Sequence, residues 1–170
     1  MEFKIEKKEK FNIVGVSRRV PIQFEGVNSA IVELAQSITE QQRKEMHQLA
    51  DLYPHQVLNV SYDYDEGFLE EKGFLTHMIG FATTKENPYE DLEQITINDS
   101  LWAIFPNQGP FPATLQETTA KIYAEWLPTS GYVISDLPGI SFTKHDGTYE
   151  NVYSEVWVPI RRAETSGESD

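Results

Sequence analysis

The sequence predicts an α+β fold: two pseudo-symmetric strand-helix-strand-strand repeats forming one antiparallel sheet, with two main helices on one face and a groove between them. Three observations predict it. Short runs of alternating apolar residues flank two amphipathic stretches, and the same order is written twice. The 170 residues, 39% of them hydrophobic, suit one domain with a core of its own. A polar segment, NPYEDLEQ, divides the two copies.

The elements follow in order. FKIEKKEK reads as an edge strand guarded by lysines, and FNIVGVSRRV as the strand beside it. In SAIVELAQSI, Ile31, Leu34, Ala35 and Ile38 keep the spacing of a buried helical stripe, and Asn28 or Ser29 can cap its start. TEQQ at residues 39–42 has the form of a second capping box, so the helix breaks there and resumes until Tyr53-Pro54 stops it. VLNVSYDYD and FLTHMIGFATT are two strands around an acidic, glycine-containing turn. The second copy begins with LWAIFP as a strand and NQGPFPA as a turn. TLQETTAKIYAEWL is its helix, with a capping box from Thr114 to Glu117. GISFTKHD and NVYSEVWVPI close it as strands around the Asp146-Gly147 turn. One domain is expected over residues 1–162: repeat one about 1–84, a linker about 85–98 and repeat two about 99–162. Residues 163–170 read as a disordered acidic tail.

Composition narrows the chemistry. A formal charge of −13 argues against a nucleic-acid surface, which needs a basic patch. With no cysteine, disulfides and thiolate chemistry are excluded. No run of about 18 apolar residues exists, and the charged first residues lack a signal peptide's apolar stretch, so a cytoplasmic protein is expected. The glycine-loop, nucleophile-elbow and zinc-helix motifs are missing. His47, His55, His77 and His145 are scattered rather than spaced as metal ligands, so no metal and no cofactor are expected.

One residue stands out. In YENVYSEVWVPI, strand alternation puts Tyr153, Glu155, Trp157 and Pro159 on one face and Ser154, Val156, Val158 and Ile160 on the other. A carboxylate between a tyrosine and a tryptophan is costly to bury without partners. Beneath an open pocket it would suit a cation, which aromatic faces also attract by on the order of 0.5 to 2 kcal/mol each. The plainer alternative is an outward charge on a solvated sheet face, or a salt bridge to Arg161 or Lys144.

WAIFPNQGP, the helix ending in AEWLP with SGY after it, P-x-x-S-F from Pro138, and SEVWVPI together resemble the second half of the GyrI-like, or AraC-type effector-binding, domain family. The match is strongest over residues 101–161 and stays in register over residues 1–81. The resemblance implies the two-repeat architecture already reached from periodicity, and Glu155 as the pocket carboxylate. It implies binding of lipophilic, often cationic or aromatic small molecules, by sensor domains of multidrug-responsive transcription regulators or by free-standing proteins. Other members are implied to hydrolyse strained cyclopropane-containing genotoxic compounds, and a further branch to inhibit DNA gyrase. One departure is present: where the family often has P-x-x-E-x-Y, this chain has Pro138, Ser141 and Thr143, which removes a second acid and weakens the case for paired-carboxylate catalysis.

The expectation is a stand-alone binder, with no helix-turn-helix segment and no direct contact with nucleic acid or membrane. Glu155, Trp157, Tyr153, Tyr62, Phe81, Tyr123, Trp126, Trp102 and Phe142 are the expected ligand-binding residues. The alternatives are a cyclopropanoid hydrolase in which Glu155 is catalytic, and a protein-interaction module for gyrase or a separate regulator.

Overall fold

The computed structural model describes residues 1–163. Apart from residue 163, the expected disordered tail lies outside the described residues. Among the described residues, nine strands form one antiparallel sheet in the order β1-β6-β9-β8-β3-β4-β2-β5, with β7 added to the end of β9. Repeat one supplies β2 (Phe11–Pro21), β3 (Leu58–Tyr62) and β4 (Phe74–Thr83); repeat two supplies β6 (Ser100–Gly109), β8 (Gly139–Lys144) and β9 (Val152–Arg162). The halves meet where β3 pairs with β8. Each repeat is preceded by a strand that crosses to the other half. β1 (Lys4–Lys8) pairs with β6, and β5 (Glu93–Ile97) pairs with β2. β5 lies in the stretch read as a linker; its Gln-Ile-Thr-Ile alternation is short and follows a run of charge. β7 (Tyr132–Ile134) is likewise a strand that local pattern did not reveal.

The three helices cover one face. α1 (Ser29–Ser37) starts at Asn28, whose side chain accepts the Ala30 N–H, and α2 (Glu40–Leu49) starts at Thr39 with the expected capping box. Leu34, Ile38, Met46 and Leu49 of this pair pack on Val14, Ile79 and Phe81. α3 (Ala113–Lys121) passes into a π-helical turn over Ile122–Trp126 and packs through Ile122, Leu115 and Trp126 on Phe105, Val156 and Val158. The capping box expected from Thr114 to Glu117 is not formed. The helix begins two residues earlier than that box requires, with Pro112 at its cap and no side-chain cap bond, because the Pro110 carbonyl already accepts the Thr114 N–H. No helix among the described residues is long and apolar enough to cross a membrane.

On its other face the sheet curls around itself. Only two residues separate β5 from β6, although β5 ends one side of the strand order and β6 lies next to the other end. The enclosed face therefore makes one cluster from seven strands, including Ile13, Leu58, Val60, Met78, Ile97, Trp102, Ile104, Phe142 and Trp157. Gly15 and Gly80 are paired on this inner face. A Cβ on Gly15 would run into the Ile79 carbonyl oxygen, and one on Gly80 would lie 2.5 Å from the Val14 carbonyl oxygen. The glycines let β2 and β4 approach closer than any side chain permits. Gly15→Ala is expected to destabilise the fold by about 3 kcal/mol, the upper end for overpacking, measured as a lower chemical-denaturation midpoint.

Candidate functional site

The register of β9 builds the site. Glu155 pairs with Pro106 on β6 and Phe142 on β8, and Trp157 pairs with Ile104 and Ile140. Tyr153, Glu155 and Trp157 thus share the inner face, the alternation read from the sequence. Glu155 points away from the helix layer, so the expected groove between the helices does not contain it. Glu155 is 6% exposed, and the neighbours of its carboxylate explain why burial is tolerated. The phenol hydroxyls of Tyr53 and Tyr153 donate to Oε2 at 2.7 and 2.6 Å, and the indole N–H of Trp157 donates to Oε1 at 2.8 Å. Among the described residues, no lysine, arginine or histidine lies within ion-pair distance of it. The salt bridge to Arg161 or Lys144 considered from sequence is therefore not made.

Energetics favour the arrangement only because the donors come with rings. An unpartnered ion costs several kcal/mol to bury. Each aromatic ring withdraws on the order of 200 Å² from water, worth roughly 5 kcal/mol at about 25 cal/mol/Å². Trp157, Phe142 and Trp102 are almost fully buried. Phe142 meets Trp157 edge-on with centroids 6.0 Å apart, and Trp102 does so at 6.4 Å. Tyr53 stacks across Trp157 at 6.3 Å and 16°. Burial, then the bond to Glu155, pushes the Tyr53 phenol up to about 12, and the same two causes in the same order raise Tyr153. Both hydroxyls remain protonated donors at neutral pH.

The site is filled by its own side chains. Tyr53 comes from residues 50–57, the loop after α2; the loop is held to β8 by the Gln56 amide donating to the Thr143 carbonyl at 2.9 Å. Tyr53 as a residue is 49% exposed while its hydroxyl reaches the buried carboxylate. Lys8 places its ammonium 4.3 Å from the Trp157 ring centroid. Two shallow hollows, one near Asp99, Ser135 and Arg161 and the other near Leu127 and Tyr132, do not reach Glu155.

Of the residues expected to bind ligand, the structure brings together Glu155, Trp157, Tyr153, Phe142, Trp102 and, at the edge of the same cluster, Tyr62. It separates the other three. Phe81 is one residue out of phase with Met78, Gly80 and Ala82 on β4, so it faces the helices and meets His47 at 4.7 Å. Trp126 packs on Phe105 at 4.9 Å, and Tyr123 lies beside it on the π-helical turn, both on the helix side. Sequence reasoning missed Tyr53 and Lys8. Tyr53 is 102 positions from Glu155, and its only local mark is the proline after it; Lys8 reads as an ordinary edge-strand charge.

Comparison with solved structures finds the same architecture. SAV2435 bound to tetraphenylphosphonium superposes with a TM-score of 0.72 at 16% identity, over 95% of this chain and 94% of that one. The C-terminal domain of EcmrR gives 0.68 at 12% identity, over 95% and 98%. A putative transcription regulation protein from Staphylococcus aureus MU50 gives 0.66 at 16% identity, over 95% and 99%. No curated protein matches the sequence. The family described as GyrI-like small molecule binding domain matches residues 1–161, nearly the whole chain. The chain belongs to the GyrI-like family of small-molecule-binding domains.

Proposed function

We propose that this domain is a cytoplasmic binder that captures lipophilic aromatic cations on the inner face of its sheet, for drug sensing or sequestration. One observation carries the reading: a buried carboxylate walled by aromatic rings, hydrogen-bonded by three donors but, among the described residues, paired with no cation within ion-pair distance. Glu155 supplies the counter-charge. Trp157, Tyr153, Phe142 and Trp102 supply flat, polarisable walls, and the half-exposed Tyr53 is the group a ligand displaces on entry. A cation of tetraphenylphosphonium's class, the ligand bound by the structurally similar SAV2435, matches that chemistry. The net charge of −13 favours approach of a cation and disfavours nucleic acid as a partner.

The test uses two ions of the same shape and opposite sign. Tryptophan-quenching titrations with tetraphenylphosphonium and tetraphenylborate separate charge recognition from simple hydrophobic uptake. The phosphonium is expected to bind at least about tenfold more tightly, a difference of about 1.4 kcal/mol. Equal affinity, or preference for the borate, contradicts the reading.

A further inference from the structure

The site contains a cation of its own. Lys8 is the last residue of β1, an edge strand that, among the described residues, pairs with β6 alone. Its place in the register, two residues beyond the Glu6–Trp102 pair, turns it toward the inner face. The side chain is 17% exposed, unusual for a lysine at a strand end. Its ammonium lies over the Trp157 ring, 4.3 Å from the centroid, the seat an aromatic wall offers to a ligand cation. Glu6 holds it there at 3.4 Å and also binds Lys4 at 3.2 Å. Burial acts to raise the Glu6 carboxyl, but the two ammoniums outweigh it and leave Glu6 below its ordinary value.

We infer that Lys8 is a resident competitor: its ammonium occupies the cation seat over Trp157 when the site is empty, and a cationic ligand must displace it to bind. This rests on the reading of Glu155 as the ligand carboxylate. Lys8 then sets a threshold for selectivity. A ligand must offer the Trp157 face more than the tethered ammonium does, which a large aromatic cation achieves through ring contact and a small hydrated amine does not. The position of Lys8 at the end of β1 lets its stem swing out without breaking a strand-to-strand hydrogen bond in the interior of the sheet. Displaced, the ammonium keeps Glu6 as its partner, so expulsion does not strand a bare charge.

The experiment titrates tetraphenylphosphonium into wild type, Lys8→Met, Lys8→Arg and Glu155→Gln. Methionine keeps the apolar stem and removes the charge; arginine keeps the charge. Lys8→Met is expected to bind about tenfold more tightly than wild type, and Lys8→Arg within about twofold of it. Unchanged or weaker binding by Lys8→Met, while Glu155→Gln still loses affinity, overturns the Lys8 inference and leaves the Glu155 reading standing. No binding by any of the four proteins removes both. A second readout needs no variant of Lys8. The Lys8 ε-methylene protons are expected to be shifted upfield by the Trp157 ring in the free protein and to return to ordinary lysine values at saturation. An upfield shift that persists in the saturated complex overturns the inference.

Discussion

Glu155→Gln is expected to weaken tetraphenylphosphonium binding by about 100-fold, or about 2.8 kcal/mol, while leaving a folded protein. Two unit charges 4 Å apart interact by roughly 4 kcal/mol at an effective dielectric of 20, so a loss of this size fits a cation seated beside a shielded carboxylate. Glutamine preserves the shape and one acceptor oxygen. Its amide nitrogen takes the place of the other oxygen, and a tyrosine hydroxyl there can turn from donor to acceptor. The cost to stability is therefore about 1 to 3 kcal/mol, well short of unfolding the sheet, and a thermal melt separates this cost from the loss of affinity. Affinity for a neutral aromatic compound is expected to change by less than about threefold, equivalent to about 0.65 kcal/mol. A parallel loss for neutral and cationic ligands would mean that the substitution damages the walls rather than removing a counter-charge.

Acidification is expected to cost this fold roughly 3 kcal/mol through His77 alone. His77 lies on the helix-side face of β4, 6% exposed, with Nε2 2.9 Å from the Asn59 side-chain oxygen and Nδ1 3.5 Å from the Ser61 hydroxyl. A neutral ring with its proton on Nε2 donates to Asn59 and leaves Nδ1 to accept from Ser61. Burial lowers this imidazole from 6.5 to about 4. The sign follows from linkage: between about pH 6.5 and pH 4 the unfolded chain binds a proton that the folded chain refuses. The neutral ring's contribution is present above pH 6.5 and is lost as pH falls toward 4. Denaturation midpoints measured from pH 7 to 4 are expected to fall less steeply for His77→Gln than for wild type. Parallel slopes would show that the fold takes up the His77 proton as readily as the unfolded chain does. Because His77 faces the helices and Glu155 faces the enclosed core, this stability effect is separable from ligand binding.

The parts of this fold that were legible in the sequence are those set by nearest neighbours. Strand alternation assigned Tyr153, Glu155 and Trp157 to one face because period two is a property of the backbone itself, and TEQQ marked the break between α1 and α2 because its capping partners are three residues apart. The same reasoning failed at Thr114, where a Thr-x-x-Glu pattern sits just inside a helix already started at Pro112. The site was half legible. Local pattern identifies aromatics, but the side of the sheet they face depends on register and helix rotation, which separated Phe81, Tyr123 and Trp126 from the rest. The groove was expected on the helix-covered face because both helices pack there, and the opposite face was considered only as a solvated alternative for Glu155. The short β5–β6 link instead curls that face into an enclosed core. Tyr53 and Lys8 reach Glu155 and Trp157 only through this closure, a long-range consequence that local spacing does not record.

The most direct measurement is a crystal structure of the protein grown with tetraphenylphosphonium. The account predicts the phosphorus within about 6 Å of the Glu155 carboxylate and its phenyl groups against Trp157 and Tyr153, inside the reach expected for a cation–aromatic contact, with Tyr53 and Lys8 moved aside. Density for the cation between α1–α2 and α3 instead, beside Tyr123 and with Tyr53 still bonded to Glu155, would contradict it.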